Sequence, residues 1–137
     1  MPSAPLDQTL PATIRLADYR PYPFRIEAVD LTFRLSPDAT TVLSRLQIVP
    51  GATAGADLRL DGEDLTLLRV AIDGAVIAVT PDARGLTVPA ALLPAGPFTF
   101  EAEVQIAPEG NTALEGLYMS RGMYCTQCEA EGFRKIT

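Results

Sequence analysis

The sequence predicts an all-β domain in which antiparallel strands form a sandwich or a saddle. Residues 98–106 alternate apolar and polar side chains, which is typical of a strand with one buried and one wetted face. The dipeptide Asp73-Gly74 lies between two apolar segments and is a strong hairpin signal. With 12 Pro and 10 Gly in 137 residues, the composition favours many short strands and turns.

The amino-terminal stretch differs from the rest of the chain. Residues 1–17 contain three Pro and no sustained hydrophobic period, which predicts a flexible arm. We expect the β domain to occupy residues 18–137. We also expect it to be truncated before its natural carboxyl-terminal end, since the sequence stops at Thr137 without a closing Pro, Gly or charged tail. Pro21 and Pro23 bias residues 19–23 toward extended backbone.

The first strand is predicted to begin at Phe24, and its apolar positions change parity near Ala28. They are residues 24 and 26 before that point and residues 29, 31, 33 and 35 after it. A β-bulge near Ala28 would keep both sets pointing inward. Residues 36–39, with the sequence Ser-Pro-Asp-Ala, then form a turn, and residues 42–49 return as the partner strand.

The middle of the chain is predicted to hold a hairpin and two short strands. Residues 65–72 and 75–79 flank Asp73-Gly74 and form the hairpin. Residues 58–60 and 86–88 are the short strands. No segment shows a convincing helical period, so helices do not enter the predicted fold.

Charge and hydropathy limit the partners of the chain. The net charge is −6 and the 11 Lys and Arg residues are scattered, so no basic surface is expected to bind nucleic acid or an anionic membrane. No segment has the roughly twenty apolar residues of a membrane span, and the first twenty or so residues lack the apolar run of a signal peptide. These features predict a cytoplasmic protein.

The most restrictive feature for chemistry is that the chain has no His. The common serine and cysteine triads and His-ligated zinc sites all need imidazole, so they are excluded within this sequence. We therefore expect no catalytic residue, no metal site and no cofactor in this chain.

Cys125 and Cys128 form a Cys-x-x-Cys motif with two functional interpretations. Half of a zinc site would need two further ligands, and only carboxylates remain to supply them. A thioredoxin-like pair would need a helix N-terminus and a positive environment, whereas Glu129 and Glu131 follow at once. The favoured interpretation is that both Cys are small packing residues on an irregular strand.

Two stretches near the carboxyl end carry a family resemblance. They are Asn-Thr-Ala-Leu-Glu-Gly-Leu-Tyr at residues 111–118 and Cys-Thr-Gln-Cys-Glu-Ala-Glu-Gly-Phe-Arg at residues 125–134. Both closely resemble segments of bacterial aminopeptidase N (alanyl aminopeptidase), a family of thermolysin-like zinc metallopeptidases. Residues 29–33 and 60–65 also resemble the amino-terminal domain of that family, so the likeness runs from residue 18 to the end.

The resemblance implies that the chain is the amino-terminal β domain of a zinc-dependent enzyme that removes amino-terminal residues from peptides. The family's His-Glu-x-x-His helix and Gly-x-Met-Glu-Asn loop are absent from this sequence. The resemblance therefore places the single zinc ion of the parent enzyme in a catalytic domain of the same polypeptide that this chain lacks. It also implies that the chain alone is inactive.

Glu129 and Gln127 are the substrate-binding residues that the resemblance implies. In the family, the acidic residue at the position of Glu129 binds the free α-ammonium group of the substrate. The residue at the position of Gln127 lines the pocket for the first substrate side chain. A carboxylate suits the first role because an exopeptidase must recognise one positive charge at a fixed distance from the scissile carbonyl. The alternative is that both residues are ordinary solvated loop residues.

Two other classes of function stay open. The chain could be an autonomous β-sandwich interaction module without catalytic activity, or a small thiol-redox protein that uses Cys125 and Cys128. A further expectation is self-association of the isolated chain through residues 118–137, because truncation leaves apolar surface and a strand edge uncovered there.

Overall fold

Nine β-strands and four short 3-10 turns make up the computed structural model, which describes residues 12–137. The strands are β1 (Phe24–Arg34), β2 (Thr40–Pro50), β3 (Leu58–Asp61), β4 (Thr66–Ile72), β5 (Ala75–Val76), β6 (Gly85–Val88), β7 (Phe98–Ile106), β8 (Gly116–Ser120) and β9 (Met123–Gln127). The 3-10 turns are Leu16–Asp18, Ala90–Leu92, Pro108–Gly110 and Gly132–Lys135. Every paired strand in this part of the chain is antiparallel, so the predicted all-β fold is confirmed.

The largest sheet has five strands in the order β1-β2-β7-β4-β5. A tight turn closes the β1–β2 hairpin, where the Thr40 hydroxyl donates to the Ser36 carbonyl (2.6 Å) and accepts from the Ser36 N–H (2.9 Å). Strand β7 lies between β2 and β4, and its residues alternate between buried and half-buried along its whole length. The alternation predicted for residues 98–106 is therefore confirmed.

The predicted β-bulge in the first strand is also confirmed. The register of β1 against β2 shifts between Ile26 and Ala28. Beyond the shift, Val29 pairs with Leu46 and Phe33 pairs with a buried β2 residue, so the second apolar set does lie on the inner face. Val29 is nevertheless 54% exposed and Phe33 40% exposed, because no described element covers this end of the sheet.

The main core lies between the five-stranded sheet and the two-stranded sheet β3–β6. Leu58, Leu86 and Val88 extend from the small sheet onto the large one. The buried members of this core are Phe24, Leu46, Ile48, Leu58, Val70, Ile72, Leu86, Val88, Phe98, Phe100 and Ala102. Two sheets pack face to face here, which is the layered arrangement that the sequence predicted.

A second apolar cluster joins the carboxyl-terminal residues to the sheet. Ile136 is 2% exposed and packs with Val42, Val104, Ile106 and Leu117. These contacts attach strand β8, and the chain that follows the 3-10 turn Gly132–Lys135, to one face of the large sheet at β2 and β7.

An open apolar groove of about 260 Å³ runs along the uncovered end of the inner face. Its lining includes Val29, Leu31, Leu46, Phe100, Val104 and Phe133. Since β1 is also the first strand of the sheet, its outer edge has no pairing partner among residues 12–137. Apolar side chains and free backbone groups are thus exposed together on this side of the domain.

One sequence prediction needs correction, and another lies mostly outside the described residues. The second strand of the Asp73-Gly74 hairpin was expected over residues 75–79, but pairing ends at Val76. Beyond it the Ile77 N–H still donates to the Val70 carbonyl at 3.0 Å, and Ile77 and Val79 pack against the main core. The predicted flexible arm at residues 1–17 lies mostly outside the described residues, and the arm and the domain bounds stay predictions.

The exposed face of the β3–β6 sheet carries a bidentate ion pair. Arg59 donates to both carboxylate oxygens of Asp82, at 2.6 and 3.0 Å, and also to the Thr87 hydroxyl at 3.0 Å. The Arg84 backbone N–H donates to the same carboxylate at 2.7 Å. The hydrogen bonds from Arg59 and then Arg84 lower the pKa of Asp82 from 3.8 to about 2.

This lowered pKa predicts a specific dependence of stability on pH. Since the folded chain binds the Asp82 proton more weakly than the unfolded chain, the pair stabilises the fold above about pH 3.8. That contribution is lost as the pH falls through about 2. We expect Asp82→Asn to lower Tm slightly at about pH 6, because the pair is exposed, and this difference should shrink as the pH falls from about 3.8 through about 2. Thermal unfolding followed by circular dichroism measures this, and a Tm difference that grows on acidification would contradict it.

Candidate functional site

The two predicted site residues lie next to each other at the end of the β8–β9 hairpin. Strand β9 ends at Gln127, and residues 128–132 form the loop that follows, here called the site loop. The Glu129 backbone N–H donates to the Gln127 side-chain oxygen at 3.4 Å. Both side chains are exposed, and the peptide bond between Glu129 and Ala130 is cis.

The Glu129 carboxylate is available for a ligand. It makes no hydrogen bond or ion pair with any side chain or backbone group of the described residues. Neither Glu129 nor Gln127 lines the apolar groove described above. The described residues therefore place the two groups on a surface loop without building a pocket around them.

The hairpin that carries these residues was not predicted from the sequence. Its turn is Arg121-Gly122, whose φ angles of 52° and 77° are those of a tight two-residue hairpin turn. Only Gly116 and Leu117 are buried among the ten positions of these strands, so the sequence has no apolar period there. The Arg-Gly dipeptide was the available signal. The irregular strand expected around Cys125 is in fact regular, with Cys125 paired opposite Tyr118.

Asn111 fixes the entry to the hairpin. Its side-chain amide donates to the carbonyls of Glu115 (2.7 Å) and Leu117 (2.9 Å), and its side-chain oxygen accepts from the Ala113 N–H (3.1 Å). A single amide thus ties both ends of the loop before β8 together. The sequence marked the stretch 111–118 by resemblance, but this structural role was not apparent from it.

Two glycines let the site loop approach the hairpin closely. A side chain on Gly132 would clash with the Gln127 carbonyl oxygen and lie 3.2 Å from the Gly116 backbone nitrogen. Gly116 itself has φ +74° and would place a Cβ atom 2.9 Å from the Lys135 Cβ. The Gly132 N–H also donates to the Cys128 carbonyl at 3.1 Å. The base of the site loop is therefore held by backbone against backbone.

Arg134 joins the site loop to the loop between β3 and β4. Its Nη1 donates to Glu131 in the site loop, and its buried Nε lies 2.9 Å from Glu63 Oε2 in an ion pair without hydrogen-bond alignment. We call these three residues the Glu63–Arg134–Glu131 bridge. Burial opposes the charge on Arg134, but the carboxylates of Glu131 and Glu63 outweigh it and raise the pKa of Arg134.

Lys135 makes a parallel contact with the same loop. Its Nζ donates to Asp64 at 2.8 Å and to Glu63 at 3.2 Å, and its side chain is only 9% exposed. The hydrogen bond that Lys135 donates to Asp64 is the main cause that raises the pKa of Lys135. The Glu63 backbone N–H also donates to the Arg134 carbonyl at 2.8 Å. These long-range ion pairs could not be inferred from residues so far apart in the sequence.

The two cysteines have different environments. Both thiols are free, and Cys128 packs against the cluster around Ile136, as expected for a packing residue. Cys125 lies on β9, with its sulfur 3.8 Å from the Met123 carbonyl. Neither lies at the N-terminus of an α-helix, so the described structure gives no support to a thioredoxin-like pair. Residues 12–137 contain no group of three or more His, Cys, Asp or Glu that could hold a metal ion.

The described residues include no helix long and apolar enough to cross a membrane.

Comparison with curated proteins identifies relatives. The chain is 46% identical over 130 residues to aminopeptidase N of Caulobacter vibrioides, a match that covers 93% of this chain and 15% of the relative. It is 44% identical over 120 residues to aminopeptidase N of Escherichia coli, covering 88% of this chain and 14% of that protein. The chain thus spans about 15% of the length of the curated relatives it matches. No protein-family model matches it.

Solved structures give a consistent result. The chain matches Legionella pneumophila aminopeptidase A, solved in complex with aspartic acid, with a TM-score of 0.80 and 28% identity over 90% of this chain and 15% of that one. Native yeast LTA4 hydrolase shares the fold, with a TM-score of 0.68 and 18% identity over 84% of this chain and 20% of that one. Sequence and structure together show that this chain resembles the amino-terminal domain of aminopeptidase N.

Proposed function

We propose that this chain is the amino-terminal β domain of a zinc-dependent aminopeptidase and that Glu129 binds the α-ammonium group of the peptide substrate. The observation that carries the proposal is the unpaired Glu129 carboxylate, exposed beside Gln127 on a loop whose base is tightly held. The relatives named aminopeptidase support the reaction class.

The chemistry of amine recognition fits a carboxylate in this position. An ionised Glu129 accepts charge-assisted hydrogen bonds from an ammonium group, which are about twice as strong as neutral ones. Fixing the ammonium group also fixes the distance from the peptide's first residue to the scissile bond, so one residue is removed at a time. Gln127 donates and accepts hydrogen bonds without charge, and in this proposal it lines part of the pocket for the first side chain.

The zinc ion of such an enzyme, which polarises the scissile carbonyl and activates water, has no site among the described residues. In this proposal the rest of the polypeptide supplies its ligands, which is supported by the chain spanning about 15% of its relatives' length. In this proposal the catalytic domain of the same polypeptide covers the exposed Gln127 and Glu129 and completes the pocket. The cytoplasmic location stays a prediction.

The isolated chain is expected to bind no zinc tightly and to have no peptidase activity. It lacks His and has two Cys, too few good ligands for a three-residue catalytic site. Purified chain is incubated with zinc and L-alanine p-nitroanilide, and bound metal and released nitroaniline are measured. Tight binding of one zinc ion per chain, or turnover above a blank, would contradict the proposal that zinc binding and catalysis belong to the catalytic domain.

The open groove favours the interaction module as the second candidate function. Val29, Phe33 and Phe133 expose apolar area beside the free edge of β1. Such a combination is typical of surfaces that bind another strand or another chain. An interaction module would use this groove for a partner, whereas a domain of an aminopeptidase would cover it with the rest of the enzyme.

We expect the isolated chain to self-associate as its concentration rises, because burial of this apolar surface is favourable. Light scattering between micromolar and millimolar concentrations measures the average mass. Val29→Lys adds a charge to the exposed apolar surface of edge strand β1 and should reduce association, whereas Arg25→Lys on the opposite face of β1 should not. A parent chain that is strictly monomeric at millimolar concentration would rule this expectation out.

A further inference from the structure

The site loop is held firmly at its base but not along its length. The Gly132 N–H donates to the Cys128 carbonyl, and Gly132 packs against the hairpin, so the first and last residues of the loop are held together. Residues 129–131 between them are all exposed. Among these three residues, Glu131 is the one whose side chain forms an ion pair, with Arg134 of the bridge.

We propose that the Glu63–Arg134–Glu131 bridge is a positioning device that sets the place of the Glu129 carboxylate. The inference rests on the proposed role of Glu129 in ammonium recognition. Glu63, Arg134 and Glu131 would not touch substrate and would act only through the site loop.

The geometry supplies a continuous physical connection. Glu63 holds Arg134 from two sides, since its backbone N–H donates to the Arg134 carbonyl and its carboxylate pairs with Nε. The other side of the guanidinium holds Glu131, two residues beyond Glu129. The planar guanidinium donates a hydrogen bond to Glu131 and lies in an ion pair with Glu63, so one rigid group contacts both carboxylates. The loop between β3 and β4 is thereby linked to the middle of the site loop.

The bridge also affects which carboxylate a substrate meets. The site loop carries two acids, Glu129 and Glu131. Arg134 neutralises Glu131, and this leaves Glu129 as the acid of the site loop that has no cationic partner among the described residues. An incoming ammonium group therefore encounters one free carboxylate rather than two competing ones, which favours a single binding geometry.

Glu63→Gln in the whole enzyme tests the bridge, because it removes the charge that pairs with Arg134 and keeps the backbone hydrogen bond. We expect kcat/KM for L-alanine p-nitroanilide to fall about five- to thirty-fold. Asp64→Asn is the matched control. It lies on the same loop, is 79% exposed and pairs with Lys135 but not with Arg134, so its loss should stay below about two-fold.

The same substitution in a Glu129→Gln background separates positioning from general structural damage. If Glu63 acts through Glu129, its removal should cost less than about two-fold once Glu129 is already replaced. A full five- to thirty-fold loss in that background, or no loss in the parent enzyme, would overturn the proposal. If Glu63→Gln does not fold, Glu131→Gln cuts the exposed end of the bridge and should show the same dependence on Glu129.

The outcomes also distinguish this inference from the proposed function. If Glu129→Gln alone leaves kcat/KM unchanged, the role of Glu129 fails and the bridge proposal fails with it. If Glu129→Gln is damaging while Glu63→Gln matches Asp64→Asn, only the bridge proposal fails.

Discussion

Replacing Glu129 with Gln in the whole enzyme is expected to lower kcat/KM for substrates with a free amine by about thirty- to a thousand-fold. Gln keeps the shape and hydrogen-bonding capacity of the side chain but removes the charge. A partly buried charged contact contributes about 2 to 4 kcal/mol, which is the origin of this range. Zinc content should not change, because the described residues contain no metal site. Steady-state kinetics and metal analysis on the same preparation measure both quantities.

Glu109→Gln is a suitable control for this substitution. Glu109 is exposed in the turn Pro108–Gly110, and its side chain has no hydrogen bond or ion pair among the described residues. Its replacement should change kcat/KM by less than about two-fold. Glu131 is closer in sequence but unsuitable, since it pairs with Arg134. If Glu129→Gln stays within about a factor of three of the parent enzyme, an effect below about 0.7 kcal/mol, the residue assignment is wrong.

Phe100→Ala is expected to destabilise the isolated chain by about 3 to 5 kcal/mol. Phe100 is 1% exposed in the centre of the five-stranded sheet, opposite Leu46 on one side and Ile72 on the other. Removing the ring loses its transfer free energy and leaves a cavity that the paired strands cannot close without moving. A loss of this size is a large part of the stability of a domain of this length.

Urea unfolding followed by circular dichroism measures the change in the free energy of unfolding. Phe33→Ala is the matched control, because it removes the same side chain from a position that is already 40% exposed. Its cost should be below about 1.5 kcal/mol. Equal losses at the two positions would show that the core between the two sheets is not where the sequence pattern and the structure place it.

Local patterns were enough to predict most of the large sheet. The apolar and polar residues that alternate along β7 are alternately buried and half-buried, because one face of that strand packs on β3–β6 and the other is half exposed. The parity change at Ala28 predicted the bulge, since side chains alternate strictly along a strand. The same pattern could not show whether anything covers Val29 and Phe33, because periodicity indicates a face and not its neighbour.

The hairpin β8–β9 could not be predicted from apolar periodicity. Its strands are mostly exposed, and it is fixed instead by Asn111, by the Arg121-Gly122 turn and by the close approach of Gly116 and Gly132. These are contacts of backbone and amide groups, which leave little trace in hydropathy.

In the candidate site, too, features of a single sequence segment could be predicted, whereas contacts between distant segments could not. Gln127 and Glu129 came from a family resemblance, and their neighbouring positions follow from their spacing at the end of β9. The contacts of Glu63 with Arg134 and Lys135 join segments that lie far apart in the sequence. Such ion pairs depend on the packing of Ile136 and on the folding of the whole sheet, so no local pattern predicts them.

Two inhibitors that differ only in the amine test the role of Glu129 most directly. L-alanine hydroxamate and propionohydroxamate share the zinc-binding group, and only the first carries an α-ammonium group for Glu129 to bind. The whole enzyme should prefer the first by about a hundred-fold or more in Ki, a preference equal to about 2.7 kcal/mol. The Glu129→Gln enzyme should lose that preference to within about three-fold while binding propionohydroxamate unchanged. An undiminished preference in the Glu129→Gln enzyme would contradict the account, because the ammonium group would then be recognised elsewhere.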